Sequence, residues 1–279
     1  MILSQLESLS DTQKKELQLL REYFQKLKHV CIAYSGGVDS SLIATIAYEQ
    51  LGSRSIAITG VSPALSISLL EEARNQANWI GISHHECFTN ELQDPSYYNN
   101  PENRCFACKR ELHSHIKEIA KNSNGAQVLD GVNYDDLKDF RPGIYAAQKA
   151  GVLSPLADLH INKDSIRQIS KALGLPWWDK PAQPCLASRL PYGEKISSKR
   201  LNKIMKGEAW LIKKGYNQVR VRSQGLSARI ELPAEKIDCF IKNIERKEVI
   251  DYFLSIGFTS ISIDLEGLVS GKLNRDLKK

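Results

Sequence analysis

Three places in the sequence hold residues whose types and spacing could do chemistry. The first is Ser35-Gly36-Gly37-Val38-Asp39-Ser40-Ser41, directly after the apolar stretch "HVCIAY" at 29–34. Its glycines permit positive φ and close backbone approach, and successive N–H groups entering a helix form an anion cradle. Ser35, Ser40 and Ser41 add hydroxyls and Asp39 a carboxylate. An ordinary strand-to-helix turn with a Ser/Asp cap has the same ingredients, but neither a Walker loop nor a dinucleotide G-x-G-x-x-G is present. The second place is Cys105-x-x-Cys108 in "NPENRCFACKRELHSHI", where a predicted helix start and the cations Arg104, Lys109 and Arg110 favour thiolate. Such a pair suits a redox couple, half of a zinc site, part of an iron–sulfur site, or two inert thiols. The third is Cys185 in "KPAQPCLASRLPYGEKIS", a loop stiffened by Pro184 and Pro191 with Ser188 and Arg189 beside the thiol. Cys31, Cys87 and Cys239 fall inside predicted strands or a helix and read as small buried hydrophobes.

Positioning these residues takes a scaffold of strands and helices in alternation. Leu3, Leu6, Leu9, Leu17, Leu20, Tyr23, Phe24 and Leu27 predict an opening amphipathic helix. Strands follow at 29–34, 54–60, 83–88 and 126–131, separated by helices at 39–51, 65–80 and about 106–122. That alternation predicts an α/β, doubly wound parallel sheet, whose ligands belong at the carboxyl ends of the strands. The segment "LPWWDKPAQPC", with three prolines and two tryptophans, marks a boundary, giving regions 1–175 and 176–279. Beyond it a helix at 198–214, strands "QVRVRS" and "SARIEL" joined by "QGL", one or two helices over 233–256 and a last strand in "GFTSISIDL" predict a smaller C-terminal α+β domain. "KLNRDLKK" reads as a frayed basic tail.

The chain has 279 residues, 42% hydrophobic and 25% charged, enough for a real core. Without a membrane-length apolar run or a leader pattern at its start, it is expected to be cytoplasmic, with no membrane partner. A net charge of +6, scattered rather than clustered, favours anionic ligands without singling out nucleic acid.

A strand followed by SGGxDS resembles the PP-loop of ATP pyrophosphatases (adenine nucleotide alpha hydrolase-like). The resemblance implies ATP binding through Ser35, Gly36, Gly37, Asp39, Ser40 and Ser41, with Asp39 at the Mg²⁺ and phosphate end. Over essentially the whole chain the sequence further resembles the LarE family of ATP-dependent sulfur transferases, in "NPENRCFACK", "DGVNYDDLKDFRPG" (130–143), "GVLSPL", "LGLPWWDKPAQPCLASRLPYGEKIS", "VRVRSQGLSARIEL" and "GFTSISIDLEGLVSGKLN". That resemblance implies adenylation of a carboxylate on a small nucleotide, pyridinium-3,5-biscarboxylic acid mononucleotide, and replacement of the activated oxygen by sulfur. Single-cysteine members of the family sacrifice the sulfur of the residue matching Cys185. The presence of Cys105 and Cys108 as well resembles the three-cysteine branch, which implies a 4Fe-4S cluster on Cys105, Cys108 and Cys185.

The same resemblance implies an ATP or substrate role for Asn133, Asp135, Asp136 and Arg141, and a phosphate clamp of Arg220 and Arg222 with Ser188 and Arg189. It also implies a second metal or subunit-contact site at Glu208 and Glu231, and a homo-oligomer; the sulfur donor stays open. A tRNA thiolase using the same loop is the nearest rival, and it calls for a denser basic surface. A nucleotide-binding regulatory module without activity is a rival of another class.

Overall fold

The computed structural model describes residues 9–138, 141–269 and 271–278. Leu3, Leu6 and Asp139 lie outside the described residues. Two compact units emerge, one from the chain up to Glu91 together with Cys105–Gln183, the other from Leu92–Arg104 together with Pro184 onward.

In the first unit β1 (Val30–Ala33), β2 (Ser55–Val61), β3 (Ser83–Phe88) and β4 (Gln127–Leu129) pair in parallel in the order β3-β2-β1-β4. The helices are α1 (Asp11–Gln25), α2 (Val38–Leu51), α3 (Ile67–Ile80) and α5 (Arg104–Asn122), the short α4 (Pro95–Tyr98) belonging to the other unit. Along β1 the side chains alternate between two cores. Val30 and Ile32 pack with Phe24, Leu42 and Ile46, while Cys31 and Ala33 pack with Ile58, Ile116 and Val128. A strand covered on both faces must be apolar throughout, which explains the unbroken "VCIA". This is the doubly wound parallel sheet that the sequence predicts, and the strand order reverses between β1 and β4, where such sheets open a ligand crevice.

The sequence reading assigns no element between 132 and 175, yet the chain forms α6 (Pro142–Lys149), α7 (Pro155–Asp158) and α8 (Lys163–Ala172) there. The first two are short and begin at proline, leaving little periodicity to detect.

The second unit holds α9 (Ser198–Lys213) and a three-stranded sheet of β5 (Arg220–Gln224), β6 (Ser227–Glu231) and β7 (Ser260–Ile263). β5 and β6 form an antiparallel hairpin, and β7 lies parallel to β6 after α10 (Ile237–Asn243) and α11 (Arg246–Ser255). Leu211, Val221, Ile230, Phe240, Phe253 and Phe258 make its core. Residues 92–104 belong to this unit through main-chain bonds: Gly193 N–H donates to Asn100 O (2.9 Å) and Ile196 N–H to Tyr98 O (2.7 Å).

Two expectations are corrected. Cys239 is exposed, because α10 turns Ile237 and Phe240 to the core and leaves 239 on its outer face. The tail forms a 3₁₀ stretch over Lys272–Lys278 rather than fraying, tied by Lys272 to Asp264 (2.7 Å) and by Arg275 to both oxygens of Glu266 (2.6 and 2.7 Å). Among the described residues no helix is long and apolar enough to cross a membrane.

Candidate active site

The loop between β1 and α2 is shaped by its glycines. Gly36 has φ +66°, and a Cβ there would lie 3.1 Å from Ala73 Cα of α3, so the position needs both the freedom and the bareness of glycine. Gly37 is the N-cap of α2 and gives no side-chain cap, so the first amides of α2 are not covered by a capping side chain. The hydroxyls form a local web: Ser35 Oγ accepts from Gly37 N–H (3.3 Å) and lies 3.2 Å from Ser40 Oγ, which donates to Gly37 O (3.1 Å). Ser41 instead turns inward, donating to Gln76 Oε1 at 2.9 Å, the atom that Tyr34 OH also reaches. Ser41 is fully buried, so its geometry supports the loop from beneath.

Asp39, on the first turn of α2, has one oxygen 2.5 Å from Lys163 Nζ while the other accepts from Asn133 Nδ2 at 3.2 Å. Asn133 in turn accepts from the N–H groups of Asp135 (2.9 Å) and Asp136 (3.1 Å), and Arg141 pairs with Asp136 at 2.9 Å. Burial pushes the Asp136 carboxyl above the usual carboxylate range, against the pull of Arg141. Behind this turn Asp130 accepts from Ser154 Oγ (2.8 Å) and Val132 N–H (3.1 Å), and burial raises its pKa too. A Cβ at Gly131 would lie 2.7 Å from Ser40 N, so the strand end presses bare backbone against the PP-loop. Asn133, Asp136, Arg141 and Asp39 are thus linked in one network.

Sequence reasoning missed Lys163, Gly131 and Lys180. Lys180 donates to Gly36 O (3.2 Å) and pairs with Glu72 (2.5 Å). The only signal for Lys163 was a cation at the start of a helix, where the macrodipole disfavours it.

The three thiols lie on different elements. Cys105 and Cys108 sit on the first turns of α5, exposed and half-buried respectively. Cys185 is exposed and caps a 3₁₀ turn over Leu186–Arg189. All three are free thiols, of a donor type that suits iron, but among the described residues no three His, Cys, Asp or Glu side chains gather as a metal would require. Further along α5, His113 is 1% exposed with neither ring nitrogen hydrogen-bonded, and burial, helped by Lys109 and Lys117, pushes its pKa down to about 3.

Around Cys185 the second unit builds a compact charge cluster. Arg189 forks onto Glu208 (2.8 and 3.2 Å) and donates to Pro184 O (2.7 Å) and Ser188 Oγ (2.9 Å). Arg222 pairs with Glu231 at 2.5 Å and donates to Ser188 O at 2.9 Å. Glu208 also accepts from Val221 N–H (3.0 Å), so both carboxylates are buried and already engaged. Arg220 differs. Burial lowers its pKa, and the cations Arg189 and Arg222 lower it further, while Glu231 and Glu208 only oppose the shift. Three guanidinium groups face two carboxylates, which leaves one positive charge for an anion.

No family model matches the chain. A strand, an SGGVDSS loop and a helix at the switch point of a parallel sheet nevertheless define the class of PP-loop ATP-using proteins, and the chain has distant likeness to a glutamine-hydrolysing GMP synthase of Archaeoglobus fulgidus (25% identity, 60% of this chain, 58% of that protein). At 33% identity it covers 91% of itself and 91% of the pyridinium-3,5-bisthiocarboxylic acid mononucleotide synthase of Lactiplantibacillus plantarum, and the chain therefore belongs to the LarE family. A Synechocystis sp. protein described only as uncharacterised is 52% identical, over 95% of this chain and 99% of that protein.

Proposed function

We propose that the protein adenylates a carboxylate of pyridinium-3,5-biscarboxylic acid mononucleotide with ATP, releasing pyrophosphate, and then replaces the activated oxygen by sulfur, releasing AMP. The observation that carries the first half is the uncapped start of α2 beside Asp39, which offers backbone donors and a carboxylate to a polyphosphate. Magnesium, held by Asp39 and phosphate oxygens, would supply charge neutralisation there. Ser35, Gly36, Gly37 and Ser40 orient the phosphates, and the Asn133–Asp136–Arg141 turn fixes the Asp39 carboxylate. The excess cation of the Arg189–Arg220–Arg222 cluster supports a clamp for the substrate's phosphate, since guanidinium forks match phosphate oxygens. Family membership, and a named relative acting on this chemistry, support the substrate class.

For the sulfur, we favour thiolate ligation of a 4Fe-4S cluster by Cys105, Cys108 and Cys185 over sacrifice of Cys185 sulfur. Such a cluster would supply an iron open to an exogenous sulfide. What supports the ligand set is the accessibility of these thiols, and the docking of Arg104, one residue before Cys105, over the Tyr192 ring (4.8 Å) seven residues beyond Cys185. Glu208 and Glu231 we read as the acids that hold the arginine clamp.

The test is iron and acid-labile sulfide content of anaerobically purified protein and of Cys105→Ala, Cys108→Ala and Cys185→Ala. About four irons per chain, lost in each variant, is the expected result. Iron-free protein after anaerobic reconstitution, with Cys185 losing the elements of hydrogen sulfide on turnover, establishes the sacrificial route. Pyrophosphate release that depends on the dicarboxylate nucleotide checks the adenylation.

A further inference from the structure

Lys163 occupies the first position of α8, where the positive end of the helix dipole repels an ammonium and favours acids. Helix stability does not call for it there. Its backbone is nonetheless held firmly: Lys163 N–H donates to Asp135 Oδ2 (2.9 Å), Asn162 caps the helix by accepting from Ser165 N–H (2.8 Å), and Tyr134 N–H donates to Ile161 O (3.1 Å). From this fixed root the flexible stem reaches the Asp39 carboxylate, bringing Nζ to 2.5 Å. The other Asp39 oxygen accepts from the neutral amide of Asn133. Asp39 therefore has one permanent neutral partner and one mobile cation, on a pair still a fifth to a third exposed (21% and 32%).

We infer that Lys163 is a phosphate-binding residue whose ammonium exchanges between Asp39 and the β- and γ-phosphate oxygens of ATP, and so couples metal capture to stabilisation of the leaving pyrophosphate. The inference rests on the adenylation reading of the loop. Two cations on one carboxylate oxygen repel, so Lys163 yields Asp39 to the metal. The polyphosphate at the adjacent start of α2 is then the strongest anion within reach of a stem anchored beside it. In the adenylation, a substrate carboxylate oxygen bonds to the α-phosphorus, the bond from that phosphorus to the α,β-bridging oxygen breaks, and its electron pair leaves on pyrophosphate. Lys163 neutralises that gain of charge without giving up a proton.

Three readouts separate this role from a structural one. In nucleotide-free protein, Lys163→Met is expected to bind Mn²⁺ about tenfold more tightly, because the competing ammonium is gone. Magnesium pyrophosphate is expected to bind the same variant about tenfold more weakly by calorimetry, with Lys163→Arg restoring most of the affinity. Substrate-dependent exchange of pyrophosphate into ATP should fall in kcat more than it rises in KM. Unchanged affinity for either Mn²⁺ or pyrophosphate in a folded Lys163→Met variant overturns the inference. If that variant does not fold, acetylation of Lys163 in the wild type, read by mass spectrometry, decides: magnesium pyrophosphate must slow it, and unaltered labelling sinks the idea. Wild-type protein that binds neither ATP nor pyrophosphate removes the adenylation reading itself, whereas wild-type binding with an indifferent variant removes only the role of Lys163.

Discussion

Around the PP-loop the ionic partners are arranged to let go, while around Cys185 they are arranged to hold. Asp39 meets a lysine and an amide in a partly exposed pair, and α2 begins at a glycine that offers no cap. In the smaller unit Glu208 and Glu231 are buried and closed against Arg189 and Arg222, whose remaining donors go to the Ser188 turn. The difference follows from what each region has to bind. A site that takes up and releases a polyphosphate with its metal needs donors that exchange cheaply in water. A clamp that must present one unpaired guanidinium, Arg220, needs its neighbours immobilised, and buried bidentate pairs do that at a desolvation cost.

The largest effect that this contrast predicts is on the closed pairs. Glu231→Ala leaves Arg222 buried and unpaired, and chemical unfolding should show the smaller unit losing about 3–5 kcal/mol. Next comes the press of Gly131 on the loop. Gly131→Ala puts a Cβ where Ser40 N stands at 2.7 Å, so ATP binding should be lost and stability should drop by about 1–3 kcal/mol, read by calorimetry and thermal melting.

A smaller, graded effect comes from His113, whose folded pKa of about 3 lies below its ordinary value of 6.5. Between those values the unfolded chain binds a proton that the folded chain refuses. Stability contributed by the neutral ring is complete above pH 6.5 and is lost as pH falls toward 3, with a limiting slope of about 1.4 kcal/mol per pH unit. His113→Leu should flatten that part of the stability profile; an unchanged slope would show that the histidine takes up its proton while folded.

The smallest stability change is expected at Arg220. Arg220→Gln relieves repulsion from Arg189 and Arg222, so the melting temperature should stay level or rise slightly while affinity for a nucleotide monophosphate falls about tenfold. A large loss of stability in that variant would mean that Arg220 is structural, and the contrast between the units would weaken.

Much of this was open to reading because the signals are local. The "VCIA" run, the two glycines and Asp39 lie within ten consecutive residues, and the cradle they form is made by the turn itself. Strand–helix alternation likewise determined the parallel sheet, since each element buries its face in a period that the sequence displays. The cysteines were legible as chemistry, but Cys239 was misjudged because which side of α10 faces the core depends on elements far along the chain. The helices between 141 and 175 escaped for the opposite reason: two of them are too short to show a period.

Tertiary structure alone decided the partners. Lys163 meets Asp39 across 124 residues, Asn133 meets it across 94, and Arg222 reaches Ser188 across 34. No periodicity encodes such pairs, because the energy that selects them comes from burial and charge after the elements have packed. By itself the sequence determined which groups could bind phosphate or sulfur. Folding determined which of them are engaged, which are exchangeable, and which single guanidinium is left over.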